Sequence, residues 1–97
     1  TEIDVQATFK KKLDIDFKKY KILGACNPQF AYQSISTEDK IGVFLPCNVV
    51  VEENLDGEVE VFAVDPVASM MSVQNEALIG PAGEVRQKLM RVIENLN

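Results

Sequence analysis

Two valine-rich segments on either side of an Asp-Gly pair limit most strongly how this chain can fold. The segments IGVFLPCNVVVEE and EVEVFAVD are rich in β-branched residues, and Asp56-Gly57 tolerates the backbone angles of a tight turn. Together they predict an antiparallel β-hairpin. If residues 54–57 form its loop, Glu53 lies opposite Glu58, and the rest of the register follows by counting back along both strands.

This register brings several polar residues to one end of the hairpin. It sets Cys47 opposite Val64 and Pro46 opposite Asp65. It also makes both faces of the hairpin apolar near the middle. An antiparallel sheet normally leaves one face to water, so two apolar faces each need a cover.

The end of the chain supplies one of these covers. Gly80-Pro81 is typical of a helix start, and the apolar residues that follow recur at spacings of three and four. We expect this helix to pack on one face of the sheet, and a second copy of the chain to cover the other face, so the sequence predicts a homodimer. The apolar stripe of the helix comprises Ala82, Val85, Leu89, Val92 and Leu96.

The first half of the chain fits two helices, a strand between them and a strand end over residues 1–3. Its opening segment has apolar residues at both strand and helix spacing, and we favour a helix after residue 4. Asp4 and Asn27 are of the types that cap helix N-termini, and Pro28 suits a first helical turn. Helices are therefore predicted over residues 5–13 and 28–35. The segment YKILGAC between them predicts a strand that ends where Asn-Pro interrupts the ladder.

Length, composition and net charge indicate a single globular domain and argue against a nucleic-acid-binding or membrane protein. With 97 residues and 46% hydrophobic content, we expect one domain over residues 1–97, of the α+β class, with an antiparallel sheet packed by the C-terminal helix in two layers. A net charge of -5 does not provide the basic face that nucleic acid requires. No apolar run approaches the roughly 20 residues that span a bilayer, and no segment resembles a signal peptide. The prediction is a cytoplasmic protein that contacts neither nucleic acid nor membrane.

Three short motifs are candidates for a binding site. They are Cys26-Asn27-Pro28, Pro46-Cys47 and Asp65-Pro66. Asp65-Pro66 is a typical helix start, with aspartate as the cap and proline in the first turn. Asp65 also emerges beside Pro46 and Cys47 in the predicted register, and Asn27 can reach the same sheet end. A carboxylate, a thiol and amides at one place can bind a polar ligand or activate a nucleophile.

The two cysteines leave alternatives open. A thiol among aliphatic residues is commonly a small hydrophobic side chain, and no nearby basic residue in the sequence favours a thiolate. If strand 20–26 lies antiparallel beside strand 41–51, Cys26 falls near Val43, too far from Cys47 for a disulfide; parallel strands could align the two thiols. The chain has no histidine, which removes Ser-His and Cys-His dyads and the commonest metal ligand. No metal site is predicted, and no cofactor is indicated.

The order of these segments resembles a known family, the domain of unknown function family 302 (DUF 302). The likeness rests on EIDVQATFKKKL, YKILGACNPQFAY, IGVFLPCNVVVEE and FAVDPVASM. It implies a β-α-β4-α fold similar to the TATA-binding protein, without implying DNA binding. Domains of this family begin with a further strand and helix ahead of the segment that opens here. The positions that match the family's motifs are Asn27, Pro28, Pro46, Cys47, Asp65 and Pro66, and Cys26 lies in the first of these motifs; the resemblance implies no activity for them.

Three functional hypotheses follow. The first is a non-enzymatic homodimeric domain that binds a small polar ligand or a protein partner at the sheet end near Cys47 and Asp65. The second is a thiol-dependent enzyme or redox-responsive protein that uses Cys47 together with Cys26. The third is a structural interaction module in which the motifs only shape turns and bind nothing.

Overall fold

The computed structural model describes residues 1–71 and 75–96 of the chain. Those residues form four strands, four α-helices and two 3-10 helices, which confirms the α+β class. The strands form an antiparallel sheet in the order β1-β2-β3-β4. The strands are β1 (Glu2–Asp4), β2 (Tyr20–Ala25), β3 (Cys47–Glu53) and β4 (Val59–Ala63), and the helices are α1 (Val5–Leu13), α2 (Pro28–Thr37), α3 (Pro66–Met71) and α4 (Ile79–Glu94), with 3-10 helices at Asp39–Phe44 and Glu76–Leu78.

The helix starts lie where the capping residues predicted them. The backbone N–H of Ala7 donates to Asp4 Oδ1 over 3.0 Å at the start of α1. The N–H of Phe30 donates to Asn27 Oδ1 over 3.3 Å at the start of α2. Each bond satisfies one of the first-turn amides that a helix leaves without an internal partner.

The hairpin turn differs from the predicted one by one residue. The N–H of Asn54 donates to the carbonyl of Glu58 (2.9 Å), and the N–H of Gly57 donates to the carbonyl of Asn54 (3.0 Å). The prediction that Glu53 faces Glu58 is therefore wrong at the turn. Gly57 takes a left-handed conformation (φ 79°), which forms a bulge and shortens the loop to three residues. Counting outward from this pair shifts each predicted partner by one residue.

The segment before β3 also differs from the prediction. Residues 39–44 form a 3-10 helix, so the strand starts at Cys47 and not at Ile41. Val43 consequently has no place in the sheet and is not a strand partner of Cys26. The separation of Cys26 from Cys47 predicted from that pairing is therefore wrong, because Cys26 lies close enough to act on the Cys47 thiol. The apolar residues of this stretch alternate as in a strand but do not share one face. Ile41 is fully buried, whereas Val43 is 84% exposed.

The chain divides into two compact units. The first comprises Thr1–Ala25 with Asn48–Phe62, and the second comprises Cys26–Cys47 with Ala63–Asn97. Within the first unit, β1 pairs with β2, and the N–H of Glu53 donates to the carbonyl of Lys19 over 3.0 Å. That bond sets the end of β3 beside the start of β2, as antiparallel strands require.

The second unit has its own apolar core. Ile41, Leu78 and Ala82 are buried together, and Leu45 and Val67 pack against them. Helix α4 contacts α2, α3 and the 3-10 helix at Glu76–Leu78. The predicted stripe of α4 is covered at its N-terminal end, where Ala82 lies, whereas Val92 and Leu96 are exposed.

Candidate functional site

All seven residues that the sequence singles out lie in the second unit. Cys26, Asn27 and Pro28 form the start of α2, while Pro46 and Cys47 lead into β3. Asp65 and Pro66 open α3. Since β3 starts at Cys47 and β4 ends at Ala63, Cys47 and Asp65 lie at the same end of the hairpin.

Asp65 makes two kinds of contact. Its Oδ1 accepts from the backbone N–H of Val67 over 3.0 Å, so it caps α3 as predicted. Its Oδ2 lies 3.4 Å from Nε of Arg86, which α4 presents. The side chains of Asp65 and Arg86 are 45% and 48% exposed, so both charged groups reach solvent. Water competes with this ion pair, and an incoming polar molecule could compete as well.

Cys47 is buried and Cys26 is exposed, and both are free thiols. Cys47 is only 8% exposed. Burial raises the pKa of the Cys47 thiol, and the nearby Cys26 raises the same pKa further, because a second negative charge would lie close to the first. Cys47 is therefore a protonated thiol at neutral pH, which makes it a poor nucleophile.

The remaining motif residues cap a helix, shape the backbone or fill the core. The Oδ1 atom of Asn27 is engaged as the cap of α2 and Pro28 follows it in the exposed first turn. The Leu45–Pro46 peptide bond is cis, and Pro46 is half-buried. Pro66 is fully buried. Of the seven predicted residues, Cys26, Pro28 and Asp65 are thus the ones that solvent reaches most freely.

Two basic residues of α4 take part in contacts that the sequence analysis did not predict. Arg86 contacts Asp65, and the ammonium group of Lys88 lies 4.9 Å from the centre of the Phe30 ring. Both belong to the polar face of a helix, where charged side chains usually only meet water. No signal in the single sequence separates these two from their neighbours, because the partners come from distant segments.

The first unit holds two surface depressions that the motifs did not indicate. One measures about 490 Å³ and is called here the apolar depression. The other measures about 380 Å³, and its lining includes the charged residues Lys19, Glu52 and Glu53. In the apolar depression the ring centres of Phe9 and Phe17 are 5.2 Å apart and pack edge to face. Its lining consists of Ile3, Val5, Thr8, Phe9, Phe17, Tyr20 and Ile22.

Residues 1–71 and 75–96 present neither a metal-ligand cluster nor a membrane-spanning helix. In those ranges, no three acidic, cysteine or histidine side chains gather as metal ligands would. Over the same residues, no helix combines the length and the apolar character that a bilayer crossing demands.

The comparisons with known proteins agree with the fold. Residues 1–96 match the family described as "Domain of unknown function DUF302". A solved structure, described as "Crystal structure of uncharacterized conserved protein DUF302 from Bacillus stearothermophilus", is similar to the whole of this chain and to 75% of that chain, with a TM-score of 0.90 and 24% identity. At that identity the likeness shows a shared fold alone. No curated protein matches the chain.

Proposed function

This chain belongs to the DUF302 family, whose description names no activity, and we propose that it is a non-enzymatic binding domain that acts as a homodimer. Its ligand is a small polar molecule, bound in the second unit where Asp65 and Arg86 meet. The observation that carries this proposal is the half-exposed ion pair at a predicted motif position. A carboxylate and a guanidinium side by side offer an acceptor and a donor set to one ligand.

The buried thiol supports a binding role over a catalytic one. Cys47 has a raised pKa, so the thiolate that nucleophilic chemistry needs is disfavoured. Two free cysteines also suit a reducing compartment, which supports a cytoplasmic location. The homodimer is supported by apolar side chains of the first unit that are exposed in a single chain, namely Ile3, Phe17, Val59 and Phe62.

Ligand-dependent thermal unfolding tests this function. The wild-type protein would be screened against amino acids, hydroxy acids and small amides, and a bound compound should raise its Tm. Asp65→Asn retains an oxygen that can cap α3 but removes the negative charge, so it should lose the ligand-induced shift while folding normally. Asp39→Asn, at an exposed aspartate of the second unit that lies in no proposed contact, is the matched control and should keep the shift. Equal shifts in all three proteins would remove Asp65 from the site.

One observation favours a second candidate function, a redox response. Cys26 lies close enough to Cys47 to raise the pKa of that thiol, and both sulfurs are reduced. Oxidised glutathione would accept two electrons and two protons from the pair, leaving an internal disulfide and two molecules of reduced glutathione. Mass measurement after exposure to oxidised glutathione tests this. A loss of two hydrogens supports the disulfide, and a mixed disulfide on Cys26 alone contradicts it.

A further inference from the structure

The apolar depression of the first unit has two lysines beside it on α1. Lys11 follows the lining residue Thr8 by three positions, and Lys12 follows the lining residue Phe9 by three, so each lies on the same side of the helix as a lining residue. Both lysines are exposed. Within the described ranges neither forms an ion pair, so their charges face solvent.

The hairpin turn of the same unit has the opposite chemistry. Leu55 stands at its tip and is 99% exposed. Asp56 and Glu58 follow this leucine in the turn, are exposed, and have no ion-pair partner among residues 1–71 and 75–96. The side-chain oxygen of Asn54 accepts from the backbone N–H groups of Asp56 (3.2 Å) and Glu58 (3.1 Å), which fixes the turn. The turn therefore presents one exposed apolar side chain followed by two acidic ones.

We propose that the hairpin tip of one copy docks into the apolar depression of a second copy. Leu55 enters the depression, and Asp56 and Glu58 face Lys11 and Lys12 of the other chain. This inference rests on the proposed homodimer and names the surface that forms it. Burial of Leu55 removes apolar surface from water in both copies. Opposite charges at the edge set the orientation of the contact, and a turn that is already fixed loses little conformational freedom on docking.

Charge reversal gives the sharpest test, because all four charged residues are exposed and their replacement leaves the core untouched. A K11E/K12E variant sets acidic residues against an acidic tip, and a D56K/E58K variant sets lysines against lysines. Each variant alone should show a dissociation constant raised about tenfold or more in analytical ultracentrifugation. An equimolar mixture of the two variants should regain dimers, since every contact between unlike copies is again between opposite charges.

The apolar part of the contact is tested separately. Leu55→Asp should weaken the dimer about as much as charge reversal does. Val43→Asp is the matched control, since Val43 is also strongly exposed but belongs to the second unit, and it should leave the dimer unchanged. At protein concentrations where the wild type is dimeric, the dye 8-anilinonaphthalene-1-sulfonate should bind Leu55→Asp more strongly, because the depression is then uncovered.

The outcomes separate this surface from the proposed function. A wild-type protein that stays monomeric at every concentration overturns both the homodimer and this surface. A dimer that resists Leu55→Asp and both charge reversals overturns the surface alone. Failure of the mixed variants to pair, or equal dye binding by wild type and Leu55→Asp, also overturns this surface. The ligand-induced change in Tm of Asp65→Asn is measured separately, and neither of its outcomes changes the interpretation of these dimer experiments.

Discussion

Arg86 Nε lies 3.4 Å from Asp65 Oδ2, which joins the polar face of α4 to the start of α3. Since both side chains are about half exposed, water weakens their attraction, and pairs of this kind contribute at most about 1 kcal/mol. The same carboxylate also caps α3 through the N–H of Val67. The cap and the ion pair are separable, because an asparagine can keep the first and not the second.

Replacements of Asp65 should therefore differ in stability. Asp65→Ala removes both contacts and should lower the free energy of unfolding by about 1 to 2 kcal/mol. Asp65→Asn should cost about 0.5 kcal/mol or less, because an amide oxygen still accepts at the helix start. Urea denaturation of the two variants and of Arg86→Ala measures the difference. A loss for Arg86→Ala as large as that for Asp65→Ala would show that the ion pair, and not the cap, is the main contribution.

Cys47 gives a prediction about pH. Its pKa in the folded chain is raised above the ordinary thiol value, so above that ordinary value the native state holds more protons than the unfolded state. Stability from this group is fully present below the ordinary pKa, about 8.5, and is lost as pH rises toward the folded pKa. The free energy of unfolding should therefore fall as the pH rises above the ordinary thiol pKa of about 8.5.

Two variants isolate the origin of that slope. Cys47→Ala should flatten the alkaline fall in stability, because it removes the titrating thiol. Cys26→Ser should reduce the fall without abolishing it, since burial is the larger cause of the raised pKa and Cys26 the smaller one. Denaturant titrations at several pH values measure both effects. An unchanged slope in Cys47→Ala would assign the pH dependence to other groups.

Accessibility of the two thiols should also differ strongly. The exposed Cys26 should react with 5,5′-dithiobis(2-nitrobenzoic acid) in the folded protein, while the buried Cys47 reacts only as the chain opens. Two phases of unequal rate are therefore expected, and denaturant should merge them. The single variants Cys26→Ser and Cys47→Ala assign the phases. A fast phase that survives in Cys26→Ser would show that Cys47 is more accessible than its burial indicates.

Several local features of the fold were predictable from the sequence alone. Asp4 and Asn27 marked helix starts correctly, because a cap is a local interaction within three residues. The Asp-Gly turn was placed correctly but its pairing was not, since both a four-residue loop and a bulged three-residue loop fit those residues. The family resemblance was confirmed over residues 1–96.

What the sequence could not predict depends on contacts between distant segments. The apolar residues of 41–45 alternate as in a strand, yet Ile41 is buried in a 3-10 helix by Leu78 and Ala82 from the end of the chain. Tertiary packing there overrides a local pattern. The pairing of Arg86 with Asp65 is of the same kind. The seven motif residues are placed in one unit, and whether they bind a ligand stays a prediction.

The same leucine-to-alanine replacement should affect stability very differently in the core of the second unit and at an exposed position. Leu78 is 1% exposed and packs with Ile41 and Ala82. Leu78→Ala should cost about 2 to 5 kcal/mol through lost burial and an unfilled cavity. Leu55→Ala removes the same atoms from a 99% exposed site and should change the stability of the isolated chain by about 0.5 kcal/mol or less. Denaturation at low protein concentration, where dimers are absent, measures both; similar losses would contradict this description of the core.

Two glycines should respond to alanine with opposite signs. Gly57 has a φ of 79°, and a Cβ there costs about 1 to 2 kcal/mol although the space around it is open. Gly83 lies within α4, and a Cβ there would meet no atom within 4 Å, so Gly83→Ala should stabilise the chain by about 1 kcal/mol through helix propensity. Gly57→Asn is the control at the turn, because asparagine tolerates the left-handed region better than alanine. Thermal unfolding of the three variants measures the order. If Gly57→Ala were as stable as wild type, the bulged three-residue turn, and the one-residue change in register that follows from it, would be wrong.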